Sequence, residues 1–267
     1  MAKNQPVGGQ APVVQRIRLR YAKRGPLRFT SHRDFARAFE RALRRAAVPI
    51  AFSQGFTPHP KISYASAAPT GVASEAEYLE IGLQAPCDPE QLRLALDAAL
   101  SPGLDVLDAV IAAEGTSLAD RIDASRWRLE LPGVTAEVAT AAAERFLAAE
   151  EVLVERMTKQ GRRSFDTRRA VTFLAVTQQS DEPSVATAGP CAIIDLVVRQ
   201  VTPAVRPDDV LSGLRVVAGL EPPVPPRATR LAQGHLFQDT AQGALTPQGE
   251  IVDPLAADRE DATIGGR

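Results

Sequence analysis

Along Gln15–Ala22 apolar and polar positions alternate, with Ile17, Leu19 and Tyr21 set between Arg16, Arg18 and Arg20. A period of two marks a half-buried strand, and here it predicts an arginine-lined outer face. The pattern then changes to threes and fours. Phe35, Ala38, Phe39, Ala42, Leu43 and Ala46 form one stripe, which predicts a helix from Ser31 to about Ala47. Ser31 suits the N-cap, Asp34 in the first turn favours the amino end, and Pro49 forbids continuation. Arg37, Arg41, Arg44 and Arg45 fall largely off the stripe. A loop over Ser53–Pro60 leads to a predicted strand at Lys61–Ala67, a turn at Pro69–Gly71 and a strand at Tyr78–Leu83. Asp88 opens a helix over Pro89–Leu100, Gly103 ends it, and Leu104–Ile111 is a further strand. The order β-α-β-β-α-β is that of a ferredoxin-like unit.

A looser version follows. Trp127–Leu131 alternates as a strand, and Thr135 caps an alanine-rich helix to Glu150. Val152–Thr158 and Val171–Thr177 read as strands flanking a basic hairpin, and Cys191–Gln200 as a strong strand. A helix at Pro207–Gly219 and an edge strand at Thr229–Leu236 complete the set. The fold class expected is α+β, with two tandem ferredoxin-like domains at residues 14–120 and 121–236. Glu221–Arg227 holds four prolines and should run extended. Residues 1–13 and 237–267 carry few large apolar groups, so neither is expected to offset its ordering entropy. The latter reads as a disordered acidic tail.

Composition changes this picture only through its distribution. The net charge is -1, yet Arg16–Lys61 holds twelve Lys and Arg against only Asp34 and Glu40. Such segregation points to a basic binding surface on an otherwise acidic chain. A second cluster comprises Arg156, Lys159, Arg162, Arg163, Arg168 and Arg169. Cys87 and Cys191 are too few and too far apart for a disulfide framework or a zinc or cluster motif, so no metal or cofactor is expected. The apolar runs are too short and too interrupted to span a membrane, and Met1–Pro12 lacks a secretory apolar core. The expectation is a cytoplasmic protein with no membrane partner.

Candidate chemistry is sparse. There is no P-loop, dinucleotide fingerprint, HExxH or GxSxG. Of three histidines, His32 opens the arginine-rich helix and His59 lies between two prolines, and imidazole titrates near neutrality. Both are candidate acid-base groups, or phosphate-facing ones. Arginine suits phosphate because its planar fork donates two hydrogen bonds at once. Arg37, Arg41, Arg44, Arg45, His59, Lys61, Arg162 and Arg163 are therefore the candidate binding residues. Tyr21, Phe29, Phe56 and Tyr64 are candidates to stack on bases, although such rings are more often core.

The stretch Arg20–Ile81, above all GPLRFTSHRD (Gly25–Asp34) and SQGFTPHPK (Ser53–Lys61), resembles the signature of the radical-SAM-linked family, a domain of unknown function. In some members it is fused behind a radical-SAM, cobalamin-binding-type protein. In others, notably actinobacterial ones, it stands alone near a ribonuclease E/G-type enzyme. The match is looser in the second half and leaves out about the last thirty residues. With no CxxxCxxC in this chain, the resemblance implies that any radical chemistry belongs to a partner. Three readings follow. The first is a non-catalytic RNA-binding accessory protein for RNA processing or modification. The second is a substrate-presenting partner of a radical-SAM enzyme. The third is a metal-independent endoribonuclease using His32 and His59.

Overall fold

The computed structural model describes residues 11–113, 115, 117–158, 161–177, 189–239, 244–245 and 250–264. It is a mixed α/β chain with antiparallel sheet, and it separates into two compact units. Unit 1 comprises Met1–Arg121 with Pro254–Arg267, and unit 2 comprises Ile122–Asp253.

In unit 1, β1 (Gln15–Lys23) carries the alternation through, burying Ile17, Leu19 and Tyr21. Ser31 caps α1 (His32–Arg45) by accepting the Asp34 N–H at 3.2 Å. Phe35, Phe39, Ala42 and Leu43 of α1 go into the core, where the Phe35 ring stacks on Tyr21 with centroids 4.3 Å apart. β2 (Ile62–Ala65) and β3 (Ala73–Leu83) follow, then α2 (Pro89–Ala99), capped by Asp88 through the Gln91 N–H at 2.8 Å, and β4 (Val106–Ile111). The sheet order is β4-β1-β3-β2, and every pair is antiparallel. Both helices contribute to the same core as β1, through Leu92 and Leu96 of α2 and the α1 stripe.

The arginines of β1 are not the open face that alternation predicts. Arg18 is only 2% exposed, and Arg20 donates to the Glu75 carbonyl at 2.8 Å. Arg16 stays half exposed and pairs with Glu80 at 3.0 Å. Alternation reports which side of a strand is apolar and cannot report what covers the other side.

In unit 2, β5 (Ala124–Pro132) leads to α3 (Ala136–Ala148), whose Thr135 cap accepts the Val138 N–H at 3.4 Å. β6 (Leu153–Thr158) and β7 (Gly161–Asp166) pair with each other as a separate two-stranded sheet. β8 (Val171–Thr177), β9 (Cys191–Arg199), α4 (Pro207–Ala218) and β10 (Arg227–Leu236) complete the unit. The main sheet runs β10-β5-β9-β8, again antiparallel throughout. α4 approaches α3 at Gly213, where an added Cβ would stand 2.8 Å from the Phe146 ring. Any larger residue there must displace that ring. The basic turn expected between two strands is instead half strand itself, because Val154 and Phe165 turn inward and bury one face.

The tail differs from expectation. Of the stretch 237–267, residues 240–243, 246–249 and 265–267 lie outside the described residues, as do residues 1–10 at the other end. Ile251–Val252 pairs with β10, and α5 (Ala256–Ile264) belongs to unit 1. Leu255 and Asp258 are fully buried there. Leu255 and Asp258 anchor this segment together with an ion pair between Arg259 and Asp108, and these leave no apolar helical stripe for hydropathy to detect.

Candidate nucleic-acid interface

The helical period decides where the cations of α1 point. With Phe35, Phe39 and Leu43 inward, Arg33, Arg37 and Arg41 recur every fourth residue on the outer side, and Arg44 continues the row. All four are exposed. Carboxylates approach two of them loosely, Asp34 to Arg37 at 4.0 Å and Glu40 to Arg44 at 3.8 Å. Exposed pairs of this kind contribute about 0–1 kcal/mol, so an incoming anion replaces them at little cost. Arg33 and Arg41 make no ion pair among the described residues. Arg45 differs, reaching the Ala99 carbonyl at 3.4 Å.

The loop before β2 is closed on itself. Ser53 N–H donates to the His59 carbonyl at 2.8 Å, and His59 N–H donates to Ser53 Oγ at 3.0 Å. Gly55, at φ +130°, makes the tip, and Phe56 beside it is fully exposed. Lys61 is fixed by its backbone, through its N–H to Ala51 O at 2.7 Å and its carbonyl from Gly82 N–H at 3.0 Å. Its ammonium side chain is exposed.

The four candidate stacking rings separate into two kinds. Tyr21 is core, and Tyr64 is half buried. Phe29 is 60% exposed and lies under the Arg28 guanidinium, 4.7 Å from its centroid. A turn supports it from below: Gly71 N–H donates to Arg28 O at 2.8 Å, and buried Lys23 and Glu77 hold the same turn. Lys23 Nζ donates to Pro69 O at 3.2 Å, and Glu77 Oε2 accepts the Ala68 N–H at 2.9 Å. Neither residue stood out in the sequence.

His32 is exposed and meets the Tyr64 ring edge-on at 4.7 Å between centroids. The Tyr64 hydroxyl is buried without a hydrogen-bond partner among the described residues. Burial, then the negative charge of Glu40, push its phenol well above the usual range. The hydrogen bonds of the described residues engage neither the His32 nor the His59 imidazole.

In unit 2 the hairpin arginines are mostly committed. Arg156 Nη1 pairs with buried Asp209 at 2.7 Å, donates to Ala204 O at 3.2 Å and lies over the Phe165 ring. Burial pushes the Asp209 carboxyl up, against the Arg206 N–H and the Arg156 guanidinium, which favour its charged form. Arg168 donates to Leu147 O and Val171 O, both at 3.2 Å, and Arg169 pairs with Asp166 at 3.4 Å. Arg162 pairs with Glu155 at 3.1 Å in the open. Arg163 is exposed and makes no ion pair among the described residues. Lys159 lies outside the described residues.

Sequence reasoning also missed a buried set in unit 1. Asp258 of α5 accepts from Arg18 at 2.8 Å, from Arg121 at 2.8 Å and from the Ala113 N–H at 2.9 Å. No local pattern links positions 240 residues apart. Among the described residues, no group of three or more His, Cys, Asp or Glu is placed to hold a metal, and no helix is long and apolar enough to cross a membrane.

The class defined so far is a mixed α/β chain whose unit 1 presents an open row of cations and the exposed rings of Phe29 and Phe56. Residues 16–207 match the model of a family described as an uncharacterized protein conserved in bacteria (DUF2344), and the chain belongs to that family. No curated protein matches it.

Proposed function

We propose that the chain is a non-catalytic RNA-binding accessory protein, linked to RNA processing or modification, with its main contact surface on unit 1. One observation carries this reading: Arg33, Arg37, Arg41 and Arg44 share one exposed helix face, and carboxylates only loosely reach two of them. A row of open guanidiniums suits a phosphate backbone. Phe29 and Phe56 are apolar surface held in water, and base stacking is the use that fits them beside cations. His59 and Lys61 flank the Phe56 loop on its exposed side, and Arg162 and Arg163 offer a lesser contact on the hairpin. The single-stranded form is favoured, because exposed rings need splayed bases.

The strand orders support a tandem ferredoxin-like architecture. In unit 1 the chain order βαββαβ goes with the sheet order β4-β1-β3-β2. Unit 2 repeats that scheme as β5-α3-β8-β9-α4-β10, with β6 and β7 inserted after α3. A fold of this type hosts many functions, so the binding reading rests on the surface and not on the topology. The resemblance to the radical-SAM-linked family supports a setting in which a radical-SAM or ribonuclease E/G-type partner supplies the chemistry.

Binding of a fluorescent single-stranded RNA is the test, measured between about 50 and about 200 mM salt. Four phosphate contacts give an expected log-log slope of about −3. Absent or salt-insensitive binding overturns the reading. Co-purification with a radical-SAM enzyme in its place would favour the substrate-presenting role.

A further inference from the structure

One carboxylate of unit 1 is sunk among donors. Asp258 is 1% exposed, and both its oxygens accept from Arg18 Nη1, at 2.8 and 3.0 Å. Arg121 Nη1 and the Ala113 N–H complete the shell at 2.8 and 2.9 Å. Three segments of the chain thus converge on one anion, with two guanidiniums and a backbone amide. This is the donor set that binds phosphate oxygens in proteins generally. Glu80 accepts from Arg18 Nε at 2.9 Å and holds that guanidinium in place.

The helix that delivers the carboxylate is slight. α5 is nine residues long, and its anchors include buried Leu255, an ion pair between Arg259 and Asp108 and, just ahead of the helix, the Pro254 carbonyl, which accepts from Arg121 Nη1 at 2.9 Å. A buried ion pair is a poor stabiliser, because desolvating both charges offsets most of their attraction. An apolar residue at position 258 would hold a short helix equally well on another surface, but not on this one. Beside the cradle is a cavity of about 550 Å³, lined in part by Gln15, Arg16, Arg18, Glu80 and Ala113. It shares Arg18 and Ala113 with the shell around Asp258, and its size is that of a small-ligand site.

We propose that the Arg18–Arg121–Ala113 cradle is a phosphate-binding site that Asp258 fills as an internal ligand, and that an RNA backbone phosphate displaces α5 from it. The identity of the ligand rests on the RNA-binding reading, whereas the cradle itself does not. A tethered carboxylate acts at an effective concentration on the order of millimolar, so the closed chain binds more weakly than its site would alone.

Full-length Asp258→Ala tests the cradle without RNA. The variant should melt below the parent and regain about 3 °C or more in inorganic phosphate, beyond any effect of chloride at equal ionic strength. The parent should not respond, and adding Arg121→Ala to the variant should abolish the recovery. Full-length Leu255→Ala tests the displacement, since it loosens α5 and leaves Asp258 and both arginines in place. Its RNA affinity should exceed the parent's about tenfold. If Asp258→Ala does not fold, the phosphate melt is read on Leu255→Ala. Recovery that is missing, or that chloride matches, overturns the cradle. Phosphate recovery with unchanged RNA affinity in Leu255→Ala overturns RNA as the displacing ligand. Failure of the RNA reading shows separately, as a parent that does not bind RNA at all.

Discussion

Helix α1 of unit 1 and the β6–β7 hairpin of unit 2 with its following turn are both arginine-rich in sequence, and their cations meet different partners. On α1 the core takes the apolar stripe and leaves Arg33, Arg37, Arg41 and Arg44 in solvent, two of them with loose carboxylates and two with none among the described residues. On the hairpin, Arg156 closes on buried Asp209, and Arg168 is spent on backbone carbonyls of α3 and β8. Among the described residues Arg162, Arg163 and Arg169 remain exposed there, Arg162 and Arg169 each beside a carboxylate. Charge counted along a chain is therefore not charge available to a ligand. What separates the two regions is the distance to the nearest acceptor and the cost of leaving it.

The largest expected effect lies on the committed side. Arg156→Ala should lower stability by about 3 kcal/mol in urea unfolding, because it leaves Asp209 buried without its cation. RNA affinity should change less than about threefold, the size of a lost rim contact. A binding loss without a stability loss would reverse the roles given to the two regions. Next, Arg37→Glu, Arg41→Glu and Arg44→Glu together should weaken RNA binding about 100-fold and leave the melting temperature nearly unchanged. Arg162→Ala with Arg163→Ala should cost under about threefold. An equal loss from both sets would break the comparison.

Two smaller effects sharpen the reading of unit 1. Phe56→Ala should weaken RNA binding about tenfold with no loss of stability, since the ring is fully exposed and has no packing to lose. Equal affinity in that variant would leave Phe56 without a role. Tyr64→Phe should raise stability by about 1 kcal/mol, because it removes a buried hydroxyl that has no partner. The sign with pH follows from the raised phenol. The neutral form is favoured in the fold, so its contribution is complete below the ordinary tyrosine range near pH 10 and is lost as pH rises beyond it. The gain from Tyr64→Phe should therefore grow at alkaline pH, and a constant gain would argue against this cause.

Much of the fold is legible because it is local. Ser31, Asp88 and Thr135 act as the caps their side chains permit, and the stripe of Phe35, Phe39 and Leu43 faces the core that its period demands. The outward row of α1 follows from the same period, which makes that half of the site readable in advance. The hairpin was harder. Half of Gly161–Asp166 is charged, and the pairing of Phe165 beside Val154 makes it a strand. Phe29 and Phe56 cannot be told from Tyr21 by residue type, since exposure depends on which helix or turn lies above each ring.

Local sequence suffices for most helices and strands, for the caps Ser31, Asp88 and Thr135, and for the side of α1 that carries arginine. These depend on neighbours within a few residues, whereas β7 and α5 do not follow from local sequence. Tertiary structure alone decided which cations are spent. Arg18 lies in a plainly alternating strand, yet Asp258 takes it out of solvent from 240 positions away. Ion pairing acts through space with no periodicity along the chain, so a residue's partner is written only in the folded coordinates.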